Sequence, residues 1–190
     1  MNEAGREQSS FEGTWNVVDA TLPDGSFAYT GQIAVRRKRA TYLLDWHISA
    51  GRYVGVGLEL GEHLFVACGE QPAGLGIAMC MLQAGTTPAV HWSTIELDGA
   101  VGSGTFSDSL AGGFEGEHQL TLELPDGRTY GAWTLTISRQ GPLYRLAWQK
   151  SGALHFQGLG LACSGGLAIG WYPDVAQLAF LDYHTTPAHA

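Results

Sequence analysis

Large apolar side chains alternate with polar or small ones along most of the chain. In 42–47, Tyr42, Leu44 and Trp46 share one face, while Leu43, Asp45 and His47 share the other. A period of two marks a strand with one buried face. The same pattern, broken by clusters of Gly, Pro, Asn, Asp and Ser, predicts strands at 14–20, 27–35, 41–49, 52–60, 63–68, 76–83, 89–97 and 101–106. A second set follows at 117–124, 129–138, 143–150, 154–162, 167–172 and 177–183. No long stretch repeats every 3.6 residues between helix caps, so helix should be nearly absent. The expected fold is all-β: an antiparallel up-and-down β-barrel or a barrel-like sandwich.

The two sets of strands are copies of one unit. Phe11-Glu12-Gly13 recurs as Phe114-Glu115-Gly116, and Leu22-Pro23-Asp24-Gly25 as Leu124-Pro125-Asp126-Gly127. Tyr42-Leu43-Leu44-Asp45-Trp46 recurs as Tyr144-Arg145-Leu146-Ala147-Trp148, and Gly55-Val56-Gly57-Leu58 as Gly158-Leu159-Gly160-Leu161. Order is kept and the offset stays at 102 or 103 residues, which identifies a tandem duplication. The predicted organisation is a tail over 1–10, a first β-meander repeat over 11–106, a linker over 107–113, a shorter second repeat over 114–184 and a tail over 185–190. Each block has a physical reason. Leu-Pro-Asp-Gly suits a type I turn with a bulge, Pro fixing φ and Gly accepting a positive φ. The face shared by both copies, Tyr42, Leu44 and Trp46 with Tyr144, Leu146 and Trp148, is expected to be core. A two-residue turn at Ala50-Gly51 would set Trp46 opposite Gly55 and Leu44 opposite Gly57. The indole could then lie flat over the neighbouring strand. Alternatively, the glycines open space for a bound molecule.

Composition narrows the class. Ten Lys and Arg against 18 Asp and Glu give a net charge of −8, and four of the ten form the run Arg36-Arg37-Lys38-Arg39, read as a solvated hairpin tip. An acidic remainder argues against nucleic acid and anionic membranes as partners. The first ten residues lack an apolar core, so no signal peptide is expected. No apolar run approaches the roughly 18 residues of a membrane span. Cys68, Cys80 and Cys163 are odd in number and lack CxxC spacing, which reads as reduced thiols in a cytoplasmic protein. Cys68, at a strand end, is expected to be the most exposed of them.

Phe11-Glu12-Gly13-Thr14-Trp15 at the head of a β-meander resembles the start of the calycin barrels: lipocalins, fatty-acid-binding proteins and avidins. The match is Gly13 and Trp15; the second copy departs, with Glu117 and His118 after Gly116. The resemblance implies a barrel with an apolar cavity for a small molecule, its base closed by the tryptophan.

Catalytic signatures are missing. There is no Gly-x-Ser-x-Gly, P-loop or GxGxxG, and none of the seven histidines forms HxH, HExxH or a Cys/His cluster. Neither a metal nor a cofactor is expected. Asp45 and His47, two apart on a strand, share a face and could form a carboxylate-oriented imidazole. An ordinary solvent-exposed face is the simpler explanation. Asp182, after Leu178-Ala179-Phe180-Leu181, would need a partner if buried. His91 and His155 stand beside Trp92 and Phe156 as satisfied or exposed side chains. The candidate ligand-binding set is Asp45, His47, Tyr53, Trp92 and Asp182.

Three functions fit this reading. A small-molecule binding protein with an apolar or aromatic ligand is favoured by the barrel and by six Trp, seven Tyr and seven Phe. A cofactor-free cyclase or isomerase on an apolar substrate would need only one acid or base and a shaped interior. A structural or protein-interaction module would need no ligand. The partner expected is an apolar small molecule, with homodimerisation left open.

Overall fold

A computed structural model describes residues 11–21, 26–82, 87–108, 110, 113–173 and 179–184. Fourteen strands are described: β1 Gly13–Thr21, β2 Phe27–Lys38, β3 Thr41–Ile48, β4 Gly51–Leu60, β5 His63–Gly69, β6 Gly76–Met81 and β7 Ala89–Thr94 come first. After them come β8 Gly102–Phe106, β9 Gly116–Glu123, β10 Thr129–Gln140, β11 Leu143–Lys150, β12 Ala153–Cys163, β13 Gly166–Tyr172 and β14 Ala179–His184. The helical content of the described residues is one 3-10 turn, Ile95–Leu97, which shortens the strand predicted at 89–97. No helix among them is long and apolar enough to cross a membrane.

β6 to β13 form a closed eight-stranded barrel in chain order, β13 pairing back onto β6 and β9 bridging β8 and β10. β1 to β5 form an antiparallel meander outside it, and β14 returns to pair with β5 as the sixth strand of that sheet. The chain is thus all-β and antiparallel, as its alternation predicts. The boundary between the two sheets falls at 70–75. The 107–113 segment instead joins adjacent barrel strands β8 and β9, and its Leu110 is buried in the barrel core.

Several strands recur at the sequence offset of the matching blocks. β2 and β3 map onto β10 and β11 at an offset of 102. β5 maps onto β13, and β6 onto β14, at 103. The step between the two offsets is a β-bulge. Trp46 and His47 pair with Tyr53 and Arg52, whereas Trp148 and Gln149 pair with Phe156 and Leu154, so His155 is an added residue in β12. Local contacts repeat too. Phe11 meets Tyr42 edge-on at 6.0 Å between ring centroids, and Phe114 meets Tyr144 likewise at 5.9 Å.

Two sheet faces pack against each other. Val56, Leu58, Phe65 and Ala67 of β4 and β5 lie against Ile77, Met79, Ala168 and Tyr172 of β6 and β13. β5, β6 and β13 are therefore buried on both faces, which is why their sequences read as continuous apolar runs. Inside the barrel lie Leu120, Leu135, Leu146, Leu167 and Ile169. On the inner face of the six-stranded sheet lie Ile33, Val35, Tyr42, Leu44, Trp46, Leu64 and Val66.

Several expectations are corrected. Ile48 pairs with Gly51, so the β3–β4 turn is Ser49-Ala50, Leu44 faces Gly55 and Tyr42 faces Gly57. The indole of Trp46 still reaches Gly55, diagonally: a methyl group there would stand 2.7 Å from Cζ3. Cys68 is not the exposed thiol; it is 4% exposed on the inner face of β5. Tyr144 is half-buried, unlike its equivalent Tyr42. The second Leu-Pro-Asp-Gly turn forms as expected, with Gly127 N–H donating to the Leu124 carbonyl at 2.9 Å and φ of 82° at Gly127. The first, 22–25, lies outside the described residues.

Candidate functional site: an aromatic-walled barrel interior

The barrel encloses a cavity of about 270 Å³. Its wall is built from a recurrent pair, an inward tryptophan and a glycine. Trp92 lies over Gly102 and Trp171 over Gly76, each directly across the strand pair. Trp148 lies over Gly158 diagonally, and Trp133 over Gly131 two residues earlier on β10. In each case a Cβ on the glycine would run into the indole. Gly lets the ring lie against the backbone, so its free face looks into the barrel.

These rings join into a belt. Trp148 and Trp171 have centroids 5.8 Å apart, Trp171 and Trp92 6.3 Å, Trp92 and Tyr130 5.1 Å, Tyr130 and Trp133 6.3 Å, and Trp133 and Phe156 5.6 Å. Phe156, at the far end of this series, is the cross-strand neighbour of Trp148. Below the belt lie Val90, Phe106, Leu120, Leu135 and Ile169; at the mouth lie Thr94, Glu96 and Leu124. Glu96 is engaged already, its Oε1 accepting from the Gly74 N–H at 2.8 Å.

Two indole nitrogens behave differently. Trp92 Nε1–H donates to the carbonyls of Ser103 at 2.9 Å and Glu123 at 3.1 Å, which pins that ring to the wall. Trp133 Nε1 is buried with no hydrogen-bond partner among the described residues. A buried N–H left unmade costs on the order of 1–3 kcal/mol, so such an atom points to a function or a bound acceptor.

The opposite end is sealed by polar contacts. His118 is 7% exposed; its Nδ1 meets Asp108 Oδ2 at 2.9 Å, and its Nε2 meets the Phe114 carbonyl at 2.9 Å. Both partners are acceptors, so both ring nitrogens donate when the ring is protonated. His118 stands where Trp15 stands in the first copy, and Trp15 Nε1–H donates to the Phe11 carbonyl at the same 2.9 Å. The departure at Gly116-Glu117-His118 thus preserves one bond with a different ring. Trp15 itself is 48% exposed on β1, so it does not close the base of the barrel as the calycin likeness implied; His118 holds that place.

Of the four sequence candidates whose side chains are described, Trp92 alone lines the cavity. Tyr53, the counterpart of Phe156, is half-buried against the inner face of the six-stranded sheet. Asp45 and His47 lie on the outer face of β3. Asp45 Oδ2 accepts from Arg36 at 2.6 Å, and His47 Nε2 accepts from Arg52 at 3.3 Å, so the structure pairs each with an arginine. Asp182 sits opposite Phe65 in the β14–β5 ladder, and its side chain lies outside the described residues. Sequence reasoning missed Trp133, Trp148 and Trp171 as a wall. A usable signal existed: at the positions of Trp133 and Trp171 the first copy has Gly31 and Cys68, so shared packing does not require those indoles.

Comparison with known proteins names no relative: no family profile, no curated protein and no solved structure matches this chain.

Proposed function

We propose that this protein binds a small, largely apolar, ring-bearing molecule inside its eight-stranded barrel. The observation that carries this reading is the belt of four indoles, a phenol and a phenyl ring around a cavity of about 270 Å³. Ligand pockets usually span about 300–1,000 Å³, so this one suits one or two fused rings rather than a long chain. Apolar faces supply affinity, and the unpartnered Trp133 N–H supplies one orienting donor. A calycin-type binding role is the nearest analogy, resting on the closed antiparallel barrel plan alone.

Titration with 2-naphthol, followed by quenching of tryptophan fluorescence, tests the reading. Saturable quenching that is lost in Trp171→Ala, a variant checked by circular dichroism to be folded, is expected. No saturable change up to millimolar ligand refutes it.

A further inference from the structure

The mouth of the barrel beside Trp133 differs chemically from the rest of its rim. Lys150, exposed at the end of β11, places its Nζ 5.4 Å from the centroid of the Trp133 ring. His155, exposed on β12, meets the same ring edge-on at 5.3 Å. Trp133 holds the one buried side-chain donor without a partner among the described residues. Lys150 and His155 therefore stand at one corner of the rim, outside the cavity lining, against the same ring that carries the unpartnered donor.

None of this corner exists in the first copy. Ile48 stands where Lys150 stands, Gly31 where Trp133 stands, and His155 is the residue added by the bulge in β12. Bulges re-aim a side chain at the rim of a barrel, and this one delivers an imidazole to the indole. Fold maintenance alone does not call for these groups, since the first copy forms the same ladder without them.

We propose that the ligand is an organic acid: a flat ring system held by the indole belt, with an anionic oxygen group set at the Trp133 corner against Lys150 and His155. This rests on the binding role proposed above. The chemistry is that of charge-assisted hydrogen bonding, in which a carboxylate accepts from an ammonium and from neutral N–H donors at once. An amine of the same shape would meet the like charge of Lys150 there.

Three probes of one shape decide it: 2-naphthoate, 2-naphthol and 2-naphthylmethylammonium, titrated by tryptophan quenching and checked by calorimetry. The acid should bind at least about tenfold more tightly than the amine, as one retained ion pair against one like-charge contact implies. Lys150→Gln should remove most of that preference, with 2-naphthol still binding saturably and circular dichroism showing the variant folded. The preference should also shrink as salt is raised. Equal binding of all three, or tighter binding of the amine, overturns the acid assignment and leaves the cavity reading standing. Failure of all three to bind overturns both. A preference that survives Lys150→Gln and His155→Asn together also overturns it, by placing the anion elsewhere.

Discussion

One substitution made at two equivalent-looking glycines separates a packed interior from a cavity. A methyl group at Gly55 would stand 2.7 Å from Cζ3 and 2.8 Å from Cη2 of Trp46, and 3.0 Å from the Ala67 carbonyl. At Gly131 it would stand 2.9 Å from Nε1 and 3.1 Å from Cε2 of Trp133, with no backbone atom as near. Carbon atoms in contact sit about 3.5–4.0 Å apart, so either indole must retreat by roughly an ångström. Trp46 is 2% exposed and hemmed in by Leu44, Leu64 and Val66, so it has nowhere to go. Trp133 has the cavity on its free side. Neither glycine has a positive φ, so both alanines gain about 0.4–1 kcal/mol from a stiffer unfolded chain. Overpacking at Gly55 should cost about 2–3 kcal/mol, the upper part of its usual range. Gly131→Ala should stay within about 1 kcal/mol of the parent. For a chain of this size that is a melting-point loss of about 4–12 °C against about 4 °C or less. Urea denaturation followed by far-UV circular dichroism measures both, free of the perturbed tryptophan signal. Equal losses at the two sites would show that the inner face of Trp133 is packed as tightly as Trp46, and the cavity with its binding role would fall.

Truncating a whole indole should follow the same logic: Trp46→Ala costs about 3–5 kcal/mol, and Trp148→Ala, which removes one wall of an existing cavity, costs less; the order is read from urea midpoints and fails if reversed. His118→Gln should cost about 1.5–3 kcal/mol, because Asp108 loses a buried charge-assisted partner; a loss under about 0.5 kcal/mol removes His118 from its sealing role. Burial pushes the thiols of Cys68 and Cys80 up to about 12 from an ordinary value of 9.0. The unfolded chain therefore releases protons above pH 9 that the fold retains, so stability is level below about pH 8 and falls from there toward pH 12. The urea midpoint should drop less between pH 8 and 10.5 in Cys68→Ala and Cys80→Ala than in the parent, and native labelling with a thiol reagent should reach half-buried Cys163 first.

Strand positions were legible because sheet burial leaves a period of two, and the runs at β5, β6 and β13 stood out because both their faces are covered. The matching blocks were legible at offsets of 102 and 103, but the bulge that carries His155 shows only in the register of β11 with β12. The β3–β4 register was not, since Ser49-Ala50 and Ala50-Gly51 are both acceptable two-residue turns and no Asn-Gly or Asp-Gly marks one of them. Nor was the return of β14 to β5, a pairing between distant segments that local pattern does not encode. That Asp45 and His47 stand away from the cavity has a related reason. Asp45 and His47 drew attention as polar residues on an apolar strand, but a strand alone does not say which of its faces looks outward. The indoles around the cavity look like ordinary core residues until the barrel closes and their glycine partners come opposite.

The pairing of β14 with β5 ties the two ends of gene expression together. β5 is complete once Gly69 has left the ribosome, yet its partner begins at Ala179. At about 5–20 residues per second, that edge waits on the order of ten seconds, long enough for an unpaired apolar strand to meet a wrong partner. β6 waits similarly for β13 before the barrel can shut. Damage near the carboxyl end, by an early stop or a protease, therefore registers in the amino-terminal sheet, where Phe65 and Val66 would keep their ladder to β4 and lose the one to β14. A cell making this protein has reason to shield its first third until the last strand is out.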